Sequence, residues 1–218
     1  KTPSLYQYSD SLSKNIFFPL WEIKDGAHRQ QYLRKLSDSQ WSDLKTLRQR
    51  QWEHVCEMVG YAFKYCPYYR ERLVDAGFDG TICNWEAFRR LPLLTKRNIH
   101  ENKERLLSRK FRFEDLVEAK TGGSTGTALT LYFDDRCQEM RNAAAMRSDR
   151  WAGWDIGMKV AAIWGNPPVA NTLKKKLRNF LLDRIIYLDT MNIHESSIRH
   201  FIETWRHEKP RIIFGHAH

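Results

Sequence analysis

Apolar residues recur at helical spacing through the first hundred positions and then give way to short strand-like runs. Trp41, Leu44, Leu47, Trp52, Val55, Val59 and Ala62 predict a long amphipathic helix behind a Ser37-x-x-Gln40 capping box, with the aromatic stripe in the core. Ahead of it, residues 1 to about 35 carry only scattered aromatics (Tyr6, Tyr8, Phe17, Phe18, Trp21) and read as an extended arm with short helical turns. Cys66-Pro67 breaks the long helix and starts a short one that Gly77 ends. Asn84 caps a turn over Trp85 and Phe88, and Thr95 caps a further helix running to about Leu107.

Beyond that point the period changes. Leu116 to Ala119 read as a strand, and Leu129, Leu131 and Phe133 alternate with Thr130 and Tyr132 as a second. Asp134 caps a helix carrying Cys137, Met140, Ala144 and Trp151, which Gly153 ends. Val160 to Trp164 is an apolar run of the kind buried on both faces. A helix over 171–182 follows, with Leu173, Leu177, Phe180 and Leu181 inward and Lys174-Lys175-Lys176 on the solvated side. A strand from Ile185 to Leu188 leads to a helix with Ile198, Phe201, Ile202 and Trp205 inward, then to a strand from Ile212 to Phe214.

Strands alternating with helix-length crossovers predict an α/β fold with a mostly parallel sheet flanked by helices. The expected organisation is a mainly helical region over 1–110 packed on an α/β region over 111–218. The last strand stops just before Gly215-His216-Ala217-His218, where a covering element would ordinarily follow. The sequence is therefore expected to be the front part of a longer polypeptide continuing beyond His218.

Composition narrows the class. No apolar run approaches the roughly 18 residues of a membrane span, and no signal-peptide core is visible at the N-terminus. Cys56, Cys66, Cys83 and Cys137 form no Cys-x-x-Cys pair and read as reduced, mostly buried thiols of a cytoplasmic protein. The formal charge of +10 favours anionic partners, but the basic residues are scattered apart from Lys174-Lys175-Lys176.

The densest chemistry lies between the first two strands, at Thr121-Gly122-Gly123-Ser124-Thr125-Gly126-Thr127. Glycines let backbone N–H groups turn toward an anion, and the hydroxyls add donors around it. A loop of this composition suits phosphate binding; a ligand-free hairpin turn is the alternative. It is not a Walker loop, because Thr127-Ala128 follows Gly126 where Lys-Ser or Lys-Thr would be required. Thr121 stands where the dinucleotide fingerprint needs its first glycine.

In context the loop resembles the phosphate-binding signature of the adenylate-forming enzymes, in particular their phenylacetate–coenzyme A ligase-like branch with its capsule-biosynthesis relatives. Tyr61-Ala62, Cys66-Pro67-Tyr68-Tyr69-Arg70, Leu91-Pro92-Leu93-Leu94-Thr95-Lys96, Trp151-Ala152-Gly153-Trp154 and Lys209-Pro210-Arg211-Ile212-Ile213-Phe214-Gly215 are similar to that branch's landmarks in order and approximate spacing. The resemblance implies an acid–thiol ligase built on the superfamily's large N-terminal domain. Such an enzyme activates a small carboxylic acid with ATP and Mg²⁺ to an acyl-adenylate, with coenzyme A as a second substrate. It also implies that Thr121, Ser124, Thr125, Thr127 and the backbone at Gly122, Gly123 and Gly126 hold the β- and γ-phosphates. Gly122 stands where many members carry serine, Thr127 where many carry lysine, and Ala128 where proline is usual. The family's later adenine, ribose and catalytic-lysine motifs have no counterpart before His218, so these 218 residues alone are expected to be inactive.

Other candidates are weaker. Trp164, Gly165, Asn166, Gly215 and His216 leave strand ends and are expected to line a pocket, because open α/β sheets place ligands there. Gly215-His216-Ala217-His218 resembles one metallophosphoesterase motif without its companions, so no metal site is expected. No Gly-x-Ser-x-Gly elbow is present. Two competing readings remain: a basic, aromatic-rich nucleic-acid-binding module, and a non-catalytic scaffold relative of the ligases. Against the first, the aromatics fall mostly at helix-core spacing, so no specific nucleic acid is expected.

Overall fold

The computed structural model describes residues 5–82, 84–121, 128–168 and 171–215, with the backbone alone over 5–8. The chain parts into two units, one formed by Asp38–Gln138 and the other by Lys1–Ser37 together with Glu139–His218. The chain thus changes unit near residues 38 and 139, rather than dividing once near residue 110. The reason lies in the N-terminal segment, which is helical and supplies core side chains to the second half of the sequence.

That segment forms α1 (Leu5–Leu12), a π-type turn (Ser13–Phe17), α2 (Phe18–Asp25) and α3 (Arg29–Ser39), not an extended arm. Its aromatics drive the difference. Phe18 and Leu33 are buried with Ala143, Ile156 and Leu182, and Phe17, Trp21, Tyr32 and Leu36 pack around them. Gly26, left-handed at φ 62°, ends α2, and the Glu22 carboxylate accepts the Gln30 N–H at 3.0 Å across the turn.

In the unit Asp38–Gln138, α3 runs past Ser37, so the Ser37-x-x-Gln40 box does not form. The next helix, α4 (Leu44–Tyr65), is capped by Asp43, whose carboxylate accepts the Thr46 N–H at 3.0 Å and its hydroxyl at 2.6 Å. A carboxylate beats a serine here because it also complements the positive end of the helix. Only the middle of the predicted stripe is inside: Trp52 and Val55 pack near Val59, Leu73 and Ile82, while Trp41, Leu44 and Leu47 are exposed. Then come α5 (Pro67–Asp75), α6 (Trp85–Arg89) capped by Asn84, α7 (Lys96–Glu101) capped by Thr95, and α8 (Lys103–Leu106). The predicted helix to Leu107 is broken at Asn102. Strands β1 (Val117–Lys120) and β2 (Thr130–Phe133) pair antiparallel.

Helix α9 (Asp135–Trp151) begins on the Asp134 cap, 2.6 Å from the Cys137 N–H. Cys137 is exposed, against expectation, whereas Cys66 is buried and burial pushes its thiol above the usual range. The other unit then builds its sheet from β3 (Val160–Trp164), α10 (Leu173–Arg178) continued by a π-type turn (Asn179–Asp183), β4 (Ile185–Asp189), α11 (Glu195–Glu208) and β5 (Ile212–Gly215). The strands are parallel in the order β4-β3-β5, which places β3 in the middle and buries Val160, Ala161 and Ala162. The burial expected along all of β3 stops at Ile163 and Trp164, which are partly exposed. Leu173, Leu177 and Phe180, expected inward, face solvent, and Leu182 fills the core instead. On α11, Ile198 and Ile202 are likewise exposed.

A polar clasp fixes α1 to the start of this sheet. The Arg184 guanidinium, almost wholly buried, donates to Asp10 Oδ1 at 2.9 Å, Gly157 O at 2.6 Å and Ser9 Oγ at 2.8 Å. Gly157 makes the approach possible: at φ 89° it lies so close that a Cβ would sit 2.3 Å from Asp10 O. Gly153, at φ 90°, has nothing within 4 Å of the same position. Gly157→Ala and Gly153→Ala should therefore share a backbone penalty of about 1–3 kcal/mol. Denaturant unfolding should show a further loss only for Gly157→Ala; equal losses would mean the approach carries no weight.

Asp155 joins the π-type turn to the end of α9 by accepting from Lys14, Arg150 (2.8 and 3.0 Å) and the Ile156 N–H (2.9 Å). Burial alone would raise its pKa, but these donors outweigh burial and hold it below the ordinary value of 3.8. A depressed carboxylate adds stability above its unfolded pKa and loses it as pH falls through the folded one. Asp155→Asn should accordingly narrow the stability gap between pH 7 and the region below 3.8. Urea midpoints across that range give the check, and an unchanged pH profile would contradict it.

Candidate functional site: a closed hairpin and an open sheet edge

The glycine-rich loop is carried by the β1–β2 hairpin. Lys120 faces Thr130 as the last strand pair. Beyond it the Thr121 N–H donates to Leu129 O at 2.9 Å, and the Leu129 N–H donates to Thr121 Oγ1 at 2.9 Å. Thr121 therefore acts first as the latch of the hairpin. Its amide is committed there and its hydroxyl oxygen already accepts one bond, which leaves the hydroxyl proton to donate. Gly122, Gly123, Ser124, Thr125, Gly126 and Thr127 lie outside the described residues.

The stem has charged and aromatic neighbours within the same unit. Lys103 Nζ stands 4.9 Å from the Phe113 ring centroid and 4.8 Å from that of Tyr132. Its hydrogen bond with Tyr132 holds the ammonium above its ordinary pKa. The Tyr132 hydroxyl donates to Glu118 at 3.1 Å, and Lys120 pairs with the same carboxylate at 3.2 Å. Lys120 first, then Tyr132, keeps Glu118 below the usual carboxylate range. Beneath β2 lies an open cavity of about 450 Å³ whose lining includes Tyr69, Lys103, Phe111, Leu131 and Asp134. That volume and its mostly apolar walls with few polar groups suit a small organic ligand.

The second predicted cluster lies in the other unit. Trp164, Gly165 and Asn166 leave the end of β3, and Gly215 closes β5 opposite Ile163. These four are brought to one edge of the sheet; His216 lies outside the described residues. Asn166 takes a left-handed conformation at φ 53°. What holds the edge is Asp189, which sequence reasoning missed: its Oδ1 accepts the N–H groups of Asn166 (3.1 Å) and Met191 (2.9 Å). An acid placed directly after the run Ile185 to Leu188 was the available signal. The Thr190 N–H bonds Trp164 O at 3.0 Å, and a Cβ on Gly165 would come 3.3 Å from Thr190 Oγ1. The edge is thus a braced turn in which Gly165 admits the Thr190 side chain.

Among the described residues no group of three or more His, Cys, Asp or Glu is arranged to hold a metal ion. Nor is any helix among them long and apolar enough to cross a membrane. No protein-family model and no curated protein matches the chain.

The latch is directly testable. Thr121→Val removes the acceptor for the Leu129 N–H and should cost about 0.5–1.5 kcal/mol locally. Amide exchange at Leu129 should accelerate several-fold, while Thr121→Ser, which keeps the oxygen, should stay near wild type. Equal protection in both variants would remove the role given to the hydroxyl.

Proposed function

We propose that the chain belongs to an ATP-dependent carboxylate-activating ligase of the adenylate-forming kind, resembling acyl– or aryl–coenzyme A ligases. The observation that carries this reading is the antiparallel hairpin latched by Thr121 and Leu129. The stem ends at this latch, immediately before the glycine- and hydroxyl-rich residues Gly122 to Thr127 in the sequence. Bonds from such donors to phosphate oxygens are worth about 1.5–3 kcal/mol each, so a handful suffices for a triphosphate tail.

The work of these residues would be positional and electrostatic. Backbone N–H groups at Gly122, Gly123 and Gly126, with the hydroxyls of Ser124, Thr125 and Thr127, neutralise the β- and γ-phosphates. The α-phosphorus is then exposed to a carboxylate oxygen of the substrate. That attack forms an acyl–phosphate bond and releases pyrophosphate. A thiol, with coenzyme A as the natural candidate, then attacks the acyl carbon, forming a thioester as the bond to AMP breaks, AMP leaves and the thiol proton passes to solvent. Magnesium would be held mainly by phosphate oxygens and water, as its preference for octahedral oxygen sites allows, and would add charge neutralisation. The described residues contribute no preformed cage for it. The braced strand end at Trp164, Gly165 and Asn166 is a separate candidate for lining a ligand pocket.

The test is carboxylate-dependent ATP–pyrophosphate exchange by the complete gene product, screened over aliphatic and aryl acids. Exchange should appear with one class of acid and fall at least a hundredfold in Gly126→Val, with the melting temperature retained. No exchange with any acid, or exchange untouched by Gly126→Val, would overturn the proposal; the former would favour the scaffold reading.

A further inference from the structure

The sequence pattern turns Leu173, Leu177 and Phe180 inward, and the structure turns them out: Leu173 is 84% exposed, Phe180 77% and Leu177 49%. At about 100° per residue these positions fall on one narrow face of α10 and its continuation. Lys174 and Lys176 then flank that face on opposite sides, and Lys175 lies behind it. All three lysines are exposed, and none forms an ion pair among the described residues. Arg178, by contrast, is committed to Asp183.

A second apolar stripe lies in the same unit. Leu12, Ile16, Leu20 and Ile23 recur at helical spacing along α1, its π-type turn and α2, and all four are exposed. Leu12 and Phe180 both line one open cavity of about 770 Å³, which places an end residue of each stripe beside it. Exposed apolar area on this scale marks an interaction surface.

We propose that this face of the unit Lys1–Ser37 with Glu139–His218 docks on the surface of an anionic lipid bilayer. Leu173, Leu177 and Phe180 enter the headgroup boundary, Lys174 and Lys176 pair with lipid phosphates, and Lys175, on the far side, adds only to the attractive field. Charge selects this occupant. Apolar side chains bordered by lysines whose long stems reach back to the interface are the pattern of an interfacial helix. A two-fold contact between copies would set three unpaired lysines against three more, which opposes that pairing. A soluble polyanion would use the lysines and leave the apolar face in water.

The test is flotation of the complete gene product with large vesicles of phosphatidylcholine alone or with about a third phosphatidylglycerol, an anionic lipid, near physiological salt. Binding should be strong to anionic vesicles and weak to neutral ones. Replacing Lys174, Lys175 and Lys176 with Gln should lower the partition coefficient on the order of a hundredfold, at roughly tenfold or less per lysine. Leu173→Ser with Phe180→Ser should lower it comparably while leaving the melting temperature unchanged, since both side chains are already in water. Absence of anionic-vesicle binding would overturn the proposal. So would binding that survives the serine pair, or self-association that disappears with the serine pair in a chain that never floats.

Discussion

A buried guanidinium governs the arrangement of the α/β unit. Arg184 lies at the start of β4, almost wholly buried, so its charge is met largely from within. Asp10 and Ser9 of α1 meet it from one side and Gly157 O from another. Because those partners are distant in sequence, satisfying one charge fixes where the N-terminal helix lies relative to the sheet. The backbone takes part as well: the Val160 N–H bonds Arg184 O at 3.0 Å, tying β3 to the same residue. Arg211, at the entry to β5, reaches Asp10 Oδ2 at 3.5 Å. All three strands therefore begin within reach of one acidic side chain and its partner.

That constraint leaves the opposite ends of the strands free to vary. There the structure relies on lighter devices, such as Asp189 bridging two amides and a glycine that admits Thr190. Parallel strands rooted at one end and open at the other are the usual ground for a binding edge. The hairpin of the other unit follows the same economy, with one threonine side chain closing the stem below a connection free of bulky residues.

Much of this was legible in the amino-acid order, for identifiable reasons. Local rules held where the residue that applied them had no competitor. Pro67 after Cys66, Asn84 before Trp85, Thr95 before Asn98 and Gly77 each marked an element end that the structure keeps. The alternation of β2 and the apolar runs of β3, β4 and β5 also carried over into strands. Reading failed where the outcome depended on partners far along the chain. The aromatics before residue 35 lacked a clear period, because Phe18 and Leu33 answer to Ala143, Ile156 and Leu182. The helical period of Leu173, Leu177 and Phe180 was correctly seen, but periodicity gives the existence of an apolar face and not its direction. At the candidate site, composition pointed to the loop, whereas the latch by Thr121 and the bracing by Asp189 are tertiary facts with only faint local marks.

The π-type turn over Ser13–Phe17 has a consequence for how this fold tolerates change. Such a turn accommodates one residue more than a regular helix, and here Ser13 is buried within it, donating to Leu181 O at 2.6 Å. Removing that extra residue would let the helix wind regularly and leave the faces on either side nearly in place, whereas a residue added to or taken from the regular helix between Asp10 and the turn would rotate everything upstream by about 100°. Asp10 and Ser9 would then swing off Arg184, although no contact residue had been altered. A one-residue change in length is therefore tolerated within the turn and damaging in the helix beside it.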